Sequence, residues 1–188
     1  SKKNRWMFGA NWNYIFGDQI KEKNILDNLR TSEGMLITTD GTLTLPRVWE
    51  RGWYSHIKIG RLLGGPAPNK NCGFFVMGGG GMLYHKFRIE DIGNTAPQLS
   101  KEYRKGYDRL TYGFSTSQFL GYLFLGNKRL INFYGGVEFI QGFTKNRRGY
   151  NFDTGTYDTE NHIDMLYGPK VGIIIPLYER VAKDFYTY

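Results

Sequence analysis

The clearest order in this chain is a two-residue alternation of bulky apolar positions with small or polar ones. Between Leu110 and Thr144 it runs twice, on either side of a tight Gly126-Asn127-Lys128-Arg129 turn. In the first arm Leu110, Tyr112, Phe114, Leu120, Tyr122 and Phe124 share one parity. Thr111, Gly113, Ser115, Ser117 and Gly121 hold the other, broken by a single Phe119. In the second arm Ile131, Phe133, Val137, Phe139 and Phe143 oppose Asn132, Gly136, Glu138 and Gly142. A period of two marks a strand with unlike faces, so the stretch predicts a β-hairpin. The alternation returns over 6–16, 53–63 and 163–177 and, interrupted by Gly78 to Gly81, over 72–89.

The chemistry of the two faces decides the architecture. A water-soluble sheet turns its large apolar residues inward and shows Lys, Glu and Thr to solvent. Here the polar parity is mostly Gly, Ser and Asn, while the other parity carries rings and branched aliphatics throughout. That pattern predicts an all-β fold turned inside out: an antiparallel up-and-down transmembrane β-barrel with a lumen filled by side chains. Each arm exceeds the roughly 9–11 residues of a tilted bilayer-crossing strand. Six strands follow directly, and a short hairpin over 35–45 about Asp40-Gly41 brings the expected number to eight. Long polar connections at 17–52, 90–109 and 145–162 alternate with short turns. This is the layout of a bacterial outer-membrane barrel with both termini in the periplasm. The expectation is one domain over 1–188, ending in a periplasmic tail at 179–188.

Composition changes this picture little. The chain has 188 residues, enough for one domain, and a net charge of +8 that suits anionic partners. Its mean hydropathy of −0.47 looks soluble, yet alternating strands average out in any such index. No apolar run approaches the roughly 18 residues of a membrane-crossing helix. The 14 Tyr, 13 Phe and 25 Gly favour a barrel over a helical bundle. A single Cys72 excludes an intramolecular disulfide framework. The charged start, Ser1-Lys2-Lys3-Asn4-Arg5, reads as a mature end left by removal of a secretion signal. No metal or cofactor is expected: the histidines lack zinc spacing, and Gly78–Gly81 lacks the ending of a phosphate loop.

Three sets of residues are candidates for function. Glu138, Lys170, Lys58 and His56 fall on the inward parity. A charge in a narrow lumen needs a partner, so they predict a charge network, with Glu138 and Lys170 pairing directly across neighbouring strands. A proton or solute path is the functional alternative. The loops supply Lys101, Arg104, Lys105, Arg109, Lys145, Arg147 and Arg148, suited to lipopolysaccharide phosphates. Nucleic acid is not an expected partner, since it leaves the lipid-like face unexplained. Ser115, Ser117, His85, His162, Asp108 and Asp164 offer the elements of a Ser–His–carboxylate grouping, without a nucleophile-elbow motif. A lipid-modifying outer-membrane enzyme is therefore the second reading. A soluble lipid-binding barrel is the third, and it requires the rings of Phe8, Phe114 and Phe133 to point inward.

Four stretches carry a resemblance: EYRKGYDRL at 102–110, GFSTSQFLGY at 113–122, NFYGGVEFIQGFT at 132–144 and YGPKVGIIIPLY at 167–178. Together they resemble a family of small outer-membrane β-barrel proteins of the Bacteroidota, over roughly 51–188. The resemblance implies a single barrel without assigned catalytic residues, accompanying a larger outer-membrane machine of the secretion or barrel-assembly type. Phe185, Tyr186 and Tyr188 in the tail are candidate anchors for such a partner.

Overall fold

In the computed structural model of the protein, residues 5–18, 20, 24–66, 71–91, 93, 95–126 and 132–175 are described. Among these residues ten strands run in order: β1 (Trp6–Gly17), β2 (Leu36–Ile37), β3 (Leu43–Thr44), β4 (Arg47–Gly64), β5 (Gly73–Glu90), β6 (Thr111–Leu125), β7 (Asn132–Asn146), β8 (Tyr150–Asn151), β9 (Thr156–Tyr157) and β10 (Asn161–Ile173). A short α-helix, α1 (Lys101–Tyr107), lies between β5 and β6, preceded by a 3-10 turn at Pro97–Leu99. The six long strands form a single antiparallel sheet in the order β1-β4-β5-β6-β7-β10, so each pairs with the next long strand in sequence.

Register keeps the faces apart. One rung runs Tyr14, Trp53, Tyr84, Tyr112 and Lys145 across five strands, each opposite the next. Because a slip of one residue would turn a strand inside out, the unlike faces hold this register. The outward parity is exposed: Phe8 is 77%, Phe16 75%, Ile57 78% and Val171 82% accessible. The inward parity holds the buried residues of the inner strands, among them Ser115, Ser117, His56, Lys58 and Glu138, and is only half-buried on most of β1 and β10. Phe8, Phe114 and Phe133 all lie on the exposed side, opposite to what a soluble lipid-binding barrel requires.

The sheet rolls until its first and last strands face each other. β1 and β10 are not hydrogen-bonded neighbours, yet residues of both line two shared clefts. The roll needs close strand approach at its tightest point. A Cβ at Gly79 or Gly81 would run into the carbonyls of Ile57 and Ser55 on β4, whereas Gly78 faces open space. The Gly78–Gly81 run is thus inside a continuous strand, not a loop.

Two apolar clusters close the ends. Leu62, Phe75, Phe119 and Leu123 pack inside one end of the roll, so Phe119, which breaks the polar parity, is a plug residue. At the loop end Ile25, Leu26, Leu36, Ile89, Leu99 and Tyr107 form a cap. The hairpin over 35–45 does form, but β2 and β3 pair only with each other. Leu36 is drawn into the cap, so among the described residues the hairpin stands apart from the six-stranded sheet. Strand β4 begins at Arg47, earlier than the alternation indicates, because the polar stretch 47–52 pairs with 85–90 above the apolar zone. The tail with Phe185, Tyr186 and Tyr188 and most of the 126–129 turn lie outside the described residues.

Candidate functional site

Inside the sheet, at mid-depth, Glu138 on β7 accepts hydrogen bonds from four side chains. Lys58 Nζ and Ser117 Oγ (3.2 Å) reach Oε1; Lys170 Nζ (2.9 Å) and Tyr54 OH (3.4 Å) reach Oε2. Glu138 and Lys58 are almost fully buried, and a buried carboxylate is tolerable only with such partners. Lys170 is not directly opposite Glu138: Glu138 pairs with Gly168 and Lys170 with Gly136, so the contact is diagonal. His56 belongs to the same layer but bonds elsewhere, with Nε2 2.9 Å from Ser115 Oγ and Nδ1 without a partner among the described residues. Parity alone places Tyr54 and Ser117 on the inward face. Only the roll of the sheet shows that they reach Glu138.

A second polar cluster sits nearer the loops. His85 lies between two carboxylates, Nε2 3.0 Å from Asp164 and Nδ1 3.6 Å from Glu50, and Thr144 donates to Asp164 at 2.5 Å. The serines and the acid-paired histidine therefore occupy different layers: Ser115 faces His56, Ser117 faces Glu138, and His85 faces Asp164. His162 pairs with Asp158 at 2.9 Å, and Asp108 is held by Arg148. The expected Ser–His–carboxylate grouping is not brought together. Among the described residues no group of three His, Cys, Asp or Glu side chains is placed to hold a metal ion.

The loop cations divide into two sets. Lys101, Arg104, Lys105 and Arg148 line one cleft of about 530 Å³ on the outer side of β4, β5 and α1. Arg51, Lys86 and Arg88, which composition alone did not single out, join them on the cleft wall, where Glu90 and Asp108 are the acids. Arg148 grips Asp108 with two hydrogen bonds, 2.8 and 2.6 Å, and these raise its pKa further while burial opposes them. Arg88 is bonded to Glu90. Lys86, Lys101 and Lys105 have no acidic partner among the described residues. The remaining loop cations are elsewhere: Arg109 is bound to Asp153, Arg147 stacks 4.1 Å over the Tyr112 ring, and Lys145 ends the outward rung.

No family model, no curated protein and no solved structure matches this chain.

Proposed function

We propose that the protein is an integral outer-membrane β-barrel whose six long strands form the wall and whose inward side chains fill the lumen. The observation that carries this reading is the outward face. The rung of Tyr14, Trp53, Tyr84 and Tyr112 marks one level, and Phe74 and Tyr122 mark another. Tyr112 and Tyr122 on β6, like Tyr84 and Phe74 on β5, are ten positions apart. At about 3.3 Å per residue and a tilt of about 35–45°, that spacing gives a height of about 25 Å, the apolar band between two aromatic girdles. Between the levels the outward residues include Ile57, Ile59, Val76, Met82, Phe114 and Leu120, all exposed. Water would make such a surface unstable in a monomer; hydrocarbon suits it.

The role of this barrel is structural or accessory, docked to a larger outer-membrane complex of the secretion or barrel-assembly type. The resemblance to small Bacteroidota barrels supports that role, and so does a lumen occupied by paired charges instead of an open path. Lipopolysaccharide is the second partner. The basic cleft has seven cations against two acids and lies just beyond the upper aromatic rung, where phosphates of an outer leaflet sit.

Expression behind a secretion signal, followed by membrane fractionation and comparison of heated and unheated samples on a gel, tests the reading. A heat-modifiable protein extracted only by detergent, with outer-membrane subunits retained in fixed ratio on affinity purification, is the expected result. A freely soluble monomer without detergent overturns it.

A further inference from the structure

A cleft of about 260 Å³ lies between the edges of β1 and β10, which pair with no further strand among the described residues. Its floor is apolar, formed by Phe75, Phe119, Leu123 and Met77. Its polar end is formed by Lys58 and Lys170, both bound to the same Glu138. Two ammonium groups against one carboxylate leave the cluster with a net charge of +1, and an ammonium has three donors to place. Asn11 also lines the cleft, and its side-chain nitrogen and oxygen are both buried without a hydrogen-bond partner among the described residues. An orphaned amide beside an uncompensated cation is a costly arrangement unless something else bonds to it. Phe8 and Ala10, on the outward face of β1, belong to the same cleft, so it opens sideways between the edges.

We infer that this seam is a binding site for a single-chain anionic amphiphile. The acyl chain lies along Phe75, Phe119 and Leu123, and the carboxylate or phosphate head accepts hydrogen bonds from Lys58, Lys170 and the Asn11 amide. The volume is below the roughly 300–1,000 Å³ of drug-sized sites, which favours one chain over the two of a phospholipid. Entry from the side rests on the membrane reading above; the match of charge and shape does not.

Photoreactive analogues test it: a fatty acid, a lysophosphatidate and the uncharged long-chain alcohol, each with a diazirine on the chain. Each is added to the protein in phosphatidylcholine nanodiscs, and the labelled peptides are mapped. At least one anionic probe should label the β1 and β10 peptides about tenfold more than the alcohol does, as expected for a head group on paired ammonium donors. Comparison of the two anionic probes identifies the head as carboxylate or phosphate. Lys170→Gln should lower the labelling. Gly9→Leu should abolish it by filling the cleft, since a Cβ there meets only Met77 Cε at 3.7 Å. Gly9→Leu stands opposite Lys58 on the ladder but removes none of the charged groups, so it reads the cleft even where a lysine variant fails to fold. Equal labelling by the alcohol, labels scattered over the outward face, or full labelling of Gly9→Leu overturns the proposal. A protein that does not enter nanodiscs refutes the membrane reading alone, and the same labelling in buffer then decides the site.

Discussion

Glu138 sits where two cations, a phenol and a hydroxyl converge, and its removal tests how far the interior depends on it. Glu138→Gln leaves Lys58 buried beside a neutral amide. Breaking a buried ion pair from one side costs about 3–5 kcal/mol. We expect a loss of that size in urea unfolding of the protein folded into lipid vesicles. Lys58→Met combined with Glu138→Gln should recover part of it, because only the less buried Lys170 charge then remains. At the loop end, burial by itself would raise the Asp158 carboxyl, but hydrogen bonds from His162 and Asn146 outweigh it and hold the group below the usual aspartate range. A depressed folded value gives stability that is fully present above the unfolded value of about 3.9 and is lost as pH falls through the folded one. Asp158→Asn should therefore cost about 1 kcal/mol at pH 7. The gap to the parent protein should close in acid, below the depressed value. Unfolding curves of both proteins at neutral and acid pH check this.

Among the elements, β5 shows how a strand can be correctly placed by its pattern and still hide its purpose. Alternation across 72–89 is interrupted by Gly78–Gly81, and composition leaves open whether these bend a strand or form a loop. The register answers: Gly79 and Gly81 lie on the inward parity, pressed against the β4 backbone, whereas Gly78 is outward with nothing nearby. Gly81→Ala should destabilise by about 1–3 kcal/mol through overpacking. Gly78→Ala should be neutral or stabilise by up to about 1 kcal/mol, since glycine is costly in a strand. Midpoints of the heat-modifiability transition for the two variants make the comparison. The first residues of β4 were not legible for the opposite reason. Arg47, Glu50 and Arg51 carry no apolar alternation, because the strand there has left the apolar band and is held by pairing with β5.

For the molecule as a whole, the question is what surrounds the outward rings. Phe139 is exposed, near the middle of the apolar band. Phe139→Arg should cost about 2–4 kcal/mol in a lipid vesicle, the penalty of a charge facing mid-bilayer. On a water-facing surface the same change falls within about 0.5 kcal/mol. Unfolding titrations from vesicles separate the two outcomes. The basic cleft belongs to this scale too, since it joins residues from β4, β5, α1 and the segment after β7. Lys101→Glu with Lys105→Glu should weaken binding of bis-phosphorylated lipid A several-fold. Much of the loss should disappear at high salt, as screened surface charges require. Vesicle flotation at two ionic strengths reads both effects.

Alternation by itself determined the apolar stretches of the six long strands, which residues share a face and which charges lie on the face with the small residues. These are local properties, because a residue's parity depends only on its neighbours in the chain. Tertiary structure decided everything that needs two distant segments to meet. It brought Lys58 across 80 positions to Glu138, and it split the serines from the acid-paired histidine. It also set the 35–45 hairpin in the cap, away from the wall, and gathered Arg51, Lys86 and Arg88 beside α1. Register, roll and the packing of loops fix those meetings, and none of them leaves a mark on parity.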